Sequence, residues 1–410
     1  MEVVYERCCG LDIHKQTVLA CVVVPGAGKQ PQKEVRTFKT MTADLLELAD
    51  WLTSEGVTHV ALESTGVYWK PAWNVLEASF TLLLVNARHI KQVPGRKTDV
   101  RDCEWIADLL RHGLLRASFV PDRPQRELRE ITRYRTSLVR EGSAERNRIQ
   151  KTLEGAGIKL GDVASDIFGA SGTRILEALV GGTTDPSLLA ELAKGQLRTK
   201  IAQLERALTG QFGPHQRFLL AQQLAHLDSL DQLIDSLSTE IAARLQPVQD
   251  KVDRLDAITG IGRRTAEIFL AEIGPDVDRF PSAAHLASWA GICPGNNESA
   301  GKRKSGKITK GDVWLRAALT EAAHAVSHAK NTYLSSQYHR LAARRGKKRA
   351  IIAVAHSILR IVFHLLAHDC EYVDLGSRYL EERDRQQIER SLVRRLEKFG
   401  YKVKLEPAAA

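Results

Sequence analysis

The first 112 residues set the strongest constraint on what this 410-residue chain can fold into. The apolar runs CCGLDIH (8–14) and TVLACVVV (17–24) have the length and branched composition of strands. A Gly- and Pro-rich turn, VPGAGKQPQ, leads to a third strand, EVRTFKT. Thr42 is placed to cap a helix through Ser54. VTHVALES then reads as a fourth strand, WKPAWNVLEA as a helix, FTLLLVN as a fifth strand, and Asp99 to His112 as a helix. Three sequential strands followed by helix–strand–helix–strand–helix is the order of the RNase H-like α/β fold, which is the expectation for this part.

From about Pro121 the texture changes. Residues 123–151 hold nine Lys/Arg, with Leu128, Ile131, Leu138 and Ile149 near helical spacing. Residues 162–186, interrupted by Gly and Thr, read as a loop region. Ser187 to Val248 is Leu/Gln-rich and helical, with a break at Gly210–Pro214. Leu227, Leu230, Ile234, Leu237 and Ile241 form an a/d seam, which suits either a coiled coil with a partner or a packed intrachain hairpin. Residues from 251 onward are mostly helical. The expected organisation is a catalytic α/β domain over 1–120, a helical or coiled-coil domain over 121–250, a helical domain over 251–375, and a terminal helix and tail over 376–410.

Composition excludes several classes. Hydrophobic residues make up 43% and charged residues 26%, enough apolar material for a sizeable core and too much for a wholly disordered chain. The formal net charge of +10 favours a polyanionic partner, most simply nucleic acid. Six scattered cysteines without a C-x-x-C pair argue against a disulfide framework and a structural zinc site, and suit a reducing cytoplasm. Asp12, His14 and Lys15 interrupt the N-terminal apolar run, so no secretory signal is expected. Ile351 to Ala367 carries His356, Arg360 and His364, and reads as a buried helix, not a membrane span.

The sharpest chemistry is acidic. Asp12 lies inside the first strand and Glu63 closes the fourth. Asp99 and Asp102 sit in KTDVRD, one helical turn apart and so on one face. In an RNase H-like sheet the first and fourth strands are neighbours, and the four carboxylates would converge. Like charges that close repel unless cations neutralise them. Oxygen ligands suit Mg²⁺ or Mn²⁺, and two such ions about 4 Å apart can stabilise the attacking and leaving oxygens of a phosphodiester. Glu104 and Asp108 fall on other faces of that helix.

A second constellation is CPGNNESAGKRKSGKITKGDVWLR. Ser299 is followed by Ala300 and Gly301, and five of the nine residues Lys302–Lys310 are cationic: Lys302, Arg303, Lys304, Lys307 and Lys310. Such a run can hold phosphates and stabilise a pentavalent transition state, although a solvated loop has the same composition and Ser305 is locally an equal candidate. LDAITGIGRRTAEIF reads as a helix–hairpin–helix in which Gly260 and Gly262 permit a tight turn and Arg263 and Arg264 open the second helix, a phosphate-binding arrangement or simply a packed αα-hairpin. RRGKKR at 344–349 suits a phosphate contact or a solvated turn. His364 and His368 lack a third metal ligand, and Tyr68, Trp69 and Trp73 suit core packing better than base stacking.

D-I-H-K, A-L-E-S-T-G-V-Y and K-T-D-V-R-D resemble the DEDD transposases of bacterial insertion sequences, the IS-one-ten family with its eleven-eleven subgroup of bridge-RNA-guided recombinases. I-T-G-I-G, F-P-S-A, L-A-S-W-A-G-I-C-P and E-S-A-G-K…I-T-K-G-D-V-W-L-R are similar to that family's second domain. The resemblance covers roughly residues 6–120 and 250–370. It implies a RuvC-like domain with Asp12, Glu63, Asp99 and Asp102 as catalytic metal ligands, and Ser299 as the nucleophile of a DNA–phosphoserine intermediate. It further implies donor and target DNA, a guide RNA, and a homo-oligomer of two to four copies acting in the cytoplasm and nucleoid. Ala300 stands where the family often has Gly. Residues 123–250 match no motif and are expected to dimerise or grip RNA. A water-using, metal-dependent nuclease of the Holliday-junction type and a non-catalytic nucleic-acid-binding protein are the alternatives.

Overall fold

The computed structural model describes residues 2–26, 30–64, 66–86, 102–294, 297–299, 302–305 and 308–405, with the backbone alone at 297–299, 302–305, 381, 384 and 386–388. It divides into two units, Met1–Asp122 and Arg123–Ala410.

The first unit is built on a six-stranded sheet: β1 Cys8–Ile13, β2 Thr17–Val24, β3 Gln32–Lys39, β4 His59–Glu63, β5 Thr81–Val85 and β6 Ala117–Ser118, in the order β3-β2-β1-β4-β5-β6. Pairing is antiparallel across β3-β2-β1, parallel across β1-β4-β5, and antiparallel for β6. This mixed sheet is compatible with the RNase H-like order read from the sequence.

Alternation along the strands sends side chains to two faces. Leu11, Ile13, Val60 and Leu62 pack with Leu48 and Trp51 of helix Thr42–Ser54 and Leu76 of helix Trp69–Leu76. Cys8, Cys21, Ala61 and Val85 pack on Cys103, Ile106, Ala107 and Leu110 of helix Asp102–Arg111. Both faces are therefore covered. The six cysteines are free thiols, and Cys8, Cys9, Cys21 and Cys103 are wholly buried as small apolar side chains. Thr42 is not the cap expected of it. Met41 occupies that position without a side-chain capping bond, and Thr42 is the first helical residue.

In the second unit, helix Arg123–Gly155 runs antiparallel to helix Pro214–Leu245. Cross-helix pairs step in opposite directions along the two: Glu127 with Arg244, Arg146 with Asp231, and Thr152 with Gln223. The a/d seam lies in this intrachain hairpin. Leu230 and Ile234 pack with Leu138, Leu227 with Ile149, and Ile241 with Leu128. Residues 162–186, expected as loop, instead contain the whole of helix Ala170–Gly181 and the first residue of helix Pro186–Glu191. Burial of Ile175, Leu176 and Leu179 overrides the weak local propensity, and the Asp185 carboxylate caps the latter helix by accepting from Ser187 N at 2.9 Å.

The largest core gathers helices Arg263–Ile273, Val313–His328 and Lys347–His368. Helix Lys347–His368 is long and apolar enough to cross a membrane. Here its apolar face, including Ile351, Val354, Ile358, Leu359 and Val362, packs in that core, as its interrupting His and Arg residues suggested.

Candidate active site

Asp12 and Glu63 are brought together by register. β1 and β4 pair in parallel up to Leu11 opposite Leu62, so the next residue on each strand is an acid. Both follow the alternation of Cys8, Gly10 and Ala61, the face covered by helix Asp102–Arg111. Asp12 retains 15% side-chain exposure and forms an ion pair with His14 at 3.2 Å when that imidazole is protonated.

Gly10 explains how the helix reaches this edge. A Cβ there would lie 2.3 Å from Cys103 O and 2.4 Å from Ala107 N, so the helix backbone rests directly on β1. Asp102 is the helix's first residue and is exposed. Burial pushes the Cys103 thiol up to about 11, with Glu104 and then Asp12 adding to the rise, which puts the Asp12 carboxylate within electrostatic reach of the helix's first turn. Asp108, the neighbouring acid, is held by Lys33 Nζ at 2.5 Å. Asp99 lies outside the described residues. Among the described residues, no group of three or more His, Cys, Asp or Glu is arranged to hold a metal.

Ser299 ends a short strand, β7 Asn297–Ser299, paired antiparallel with β8 Lys302–Ser305, with Ser299 opposite Lys302. The segment read as a loop thus forms a hairpin carrying Lys302, Arg303 and Lys304 on β8. Lys307 lies outside the described residues, and Lys310 is exposed beyond the hairpin. Below it, Pro294 bridges Ile308, and Gly291 crosses Gly311 so closely that a Cβ on Gly291 would stand 2.5 Å from Gly311 N. Asp312 follows, capping helix Val313–His328 by accepting from Leu315 N at 2.8 Å and pairing with Arg133 at 3.3 Å. Arg133 also meets the fully buried Glu272 at 2.7 Å. The hairpin therefore stands on a base whose ends are joined and tied to the long helix. Sequence reading missed Gly10, the Gly291–Gly311 crossing and Asp312. A glycine within an apolar strand, and an Asp just ahead of an apolar helix, were the available signals.

The other nucleic-acid candidates are placed less favourably. Gly260, at φ 86°, fits against helix Val313–His328, where a Cβ would meet Val326 Cγ2 at 2.5 Å. Gly262 is the N-cap of helix Arg263–Ile273, with open space around it. Arg263 donates to Glu267 and Gln249, while Arg264 is exposed. The basic start of the long helix is largely engaged within the chain. Arg129 and Arg133 meet Glu272, and Arg135 meets Glu267 at 2.7 Å with both side chains buried.

Comparison with known proteins agrees with this layout. A DEDD transposase model matches residues 9–158, covering the acid-bearing sheet, and a model described as "Transposase IS116/IS110/IS902 family" matches residues 252–340, covering the serine hairpin. A "Probable family 20 transposase" of Pseudomonas aeruginosa is 27% identical over 320 residues, 76% of this chain and 85% of its own length. A protein named as a transposase in Sinorhizobium fredii is 27% identical over 337 residues, 80% and 77% of the two chains. A "Pilin gene-inverting protein" of Moraxella bovis is 30% identical over 142 residues, 34% and 44% of the two. With the two family models together matching more than half of its residues, and transposases among its relatives, the chain belongs to the IS110 family of transposases.

Proposed function

We propose that this transposase is an RNA-guided DNA recombinase in which Ser299 attacks a phosphodiester with assistance from a divalent cation held by Asp12, Glu63, Asp99 and Asp102. The observation that carries the reading is the register of β1 and β4, which sets Asp12 beside Glu63 on the face covered by the Asp102 helix. Two adjacent carboxylates on one sheet face would repel without a cation, and an all-oxygen donor set suits Mg²⁺ or Mn²⁺. When bound, such an ion supplies charge neutralisation at the reacting phosphate. On this reading the first unit is a RuvC-like domain, the long hairpin over 121–250 a scaffold, and 251–375 the domain that presents the serine.

In the reaction, the Ser299 Oγ–phosphorus bond forms as the phosphorus–oxygen bond to the leaving strand breaks. The hydroxyl proton passes to a base, and the leaving oxygen gains one. A serine hydroxyl is a weak nucleophile at neutral pH and needs a base or metal to activate it; the carboxylates Asp12, Glu63, Asp99 and Asp102 are assigned that role in preference to Glu298, which adjoins Ser299 in sequence. Cations of Lys302–Lys310 hold the phosphate. A guide RNA and a homo-oligomer of two to four copies complete the assembly, which acts on chromosomal DNA in the cytoplasm and nucleoid.

The test is a denaturing gel with labelled junction DNA and the guide RNA. The parent protein should form a denaturation-resistant adduct. Ser299→Ala should not, Ser305→Ala should, and Asp12→Ala, Glu63→Ala, Asp99→Ala or Asp102→Ala should each abolish recombination while leaving binding intact. Ca²⁺ should not replace Mg²⁺. Mixing Asp12→Ala with Ser299→Ala restores activity if the site is shared between protomers. Cleavage by the parent without an adduct would overturn the serine mechanism in favour of a water-using nuclease.

A further inference from the structure

Most cations of the long helix are matched by acids, but one basic cluster is not. Arg344 and Arg345 end helix Tyr333–Arg345, and Lys347, Lys348 and Arg349 begin helix Lys347–His368 across a single glycine. All five are exposed. Among the described residues, none of them forms an ion pair with a carboxylate, unlike Arg129, Arg133 and Arg135. Lys347, Lys348 and Arg349 also stand at the positive end of their helix, where cations are disfavoured unless an anion is present. Among the described residues, folding therefore leaves this charge uncompensated.

The cluster borders a groove of about 890 Å³ between helix Tyr333–Arg345 and helix Tyr379–Lys398. Lys330, His339, Arg340, Arg344 and Arg385 line it. Glu389 is the one carboxylate among its described lining residues, and it is already paired with Arg385 at 2.9 Å. No Phe, Tyr or Trp is among those lining residues. Grooves that hold single strands combine cations with aromatic platforms for unstacked bases. A cationic groove without such platforms, on the ends of regular helices, suits a backbone whose bases stay paired.

We propose that Arg344–Arg349 and the adjoining groove form a phosphate-binding surface for duplex DNA, apart in sequence from the Lys302–Lys310 segment. The choice of DNA rests on the chain's being a transposase; the phosphate-binding chemistry rests on the cluster itself. Phosphate contacts of this kind add affinity without base specificity, and would hold flanking duplex while strands are exchanged elsewhere.

The experiment uses the full chain carrying Ser299→Ala in buffer without divalent cation, so that no strand is cut by either a serine or a metal-dependent water mechanism, and a fluorescent duplex of about 30 base pairs of arbitrary sequence, with anisotropy read over a range of salt concentrations. Replacing Arg344, Arg345, Lys347, Lys348 and Arg349 with Gln should weaken binding at least about tenfold at low salt and reduce the log–log salt slope by about 0.9 for each phosphate no longer neutralised. The charge-keeping variant Arg344→Lys with Arg345→Lys and Arg349→Lys should retain the slope. If the fivefold variant is not folded by thermal melting, Lys330→Gln with Arg344→Gln, one just before and one at the end of helix Tyr333–Arg345, should still lower the slope by about 1.8, the value for two phosphates. An unchanged slope would overturn the proposal. So would a loss confined to single-stranded DNA or to duplex RNA of the same length. The readout is independent of cleavage, so failure of the serine mechanism leaves it standing, and failure here leaves the adduct assay unaffected.

Discussion

Gly10→Ala tests whether the acid site is assembled by the contact between β1 and helix Asp102–Arg111. The added methyl would sit 2.3 Å from Cys103 O and 2.4 Å from Ala107 N, where ordinary contact begins near 3.4 Å. Both clashing atoms are backbone, so no side-chain rotation relieves them, and the helix must retreat by about 1 Å. Overpacking of this size costs about 1–3 kcal/mol, which a domain with about 5–15 kcal/mol of stability survives. The effect on chemistry is larger. On the proposed mechanism, Asp102 rides on the displaced helix while Asp12 and Glu63 stay with the sheet, and a misplacement of about 1 Å costs on the order of 100-fold in rate. The assay is strand cleavage at a temperature well below the melting transition, alongside thermal melting. Gly155→Ala is the control, because a Cβ there meets nothing within 4 Å. A Gly10→Ala protein with parental cleavage and melting would refute the close approach, and with it this account of how the acids meet.

Glu272→Ala should lower stability by about 3–5 kcal/mol, since it strips Arg129 and Arg133 of a fully buried partner, and chemical denaturation reads the loss. Burial pushes the Cys8 and Cys21 thiols up to about 12. Their folded values exceed their unfolded ones, so the stability they contribute is complete below pH ~9 and is lost as pH rises towards 12; melting temperatures over that range should fall, and the slope should ease when both are replaced by Ala. In native protein, iodoacetamide should modify exposed Cys370 first and spare Cys8, Cys9, Cys21 and Cys103 until the chain is unfolded, as peptide mapping would report. Replacing Lys302, Arg303, Lys304, Lys307 and Lys310 with Gln should flatten the salt dependence of DNA binding by about 0.9 per phosphate released, and an unaltered slope would show the segment to be merely solvated.

Strands β1, β2, β4 and β5 were legible as short apolar runs, and β3 as the segment that follows a Gly- and Pro-rich turn. β6 was not, since two exposed residues, Ala117 and Ser118, hold no periodicity and pair only because β5 has a free edge. Asp12 stood out as a charge inside one apolar run and Glu63 as a charge at the end of another, and register then made them neighbours. The helix expected from Asp99 is described from Asp102 onward. Residues 162–186 were misread because Gly172 and the Thr pair at 183–184 weaken local propensity. Gly172 is in fact where the chain packs against itself, a Cβ there standing 2.1 Å from Ile167 O.

The basic stretch at 123–151 shows where sequence reading reaches its limit. Composition alone treats Arg129, Arg133 and Arg135 as it treats Arg344, Arg345 and Lys347: cations in a chain of net charge +10. Their partners in space separate them. Glu267, Glu272 and Asp312 lie more than 130 positions away along the chain, and folding brings them to the long helix, where they engage three arginines. Buried pairs of this kind give little net stability, but they orient what they join. Arg133 links Glu272 to Asp312, Asp312 caps the helix that leaves the serine hairpin, and Trp314 packs beneath Arg133 and Arg140 with guanidinium-to-ring distances of 5.8 and 5.3 Å. Charge that looked available for RNA in the sequence is thus committed to holding the base of the hairpin. The cations at 344–349, which have no such partners among the described residues, remain available to a phosphate backbone.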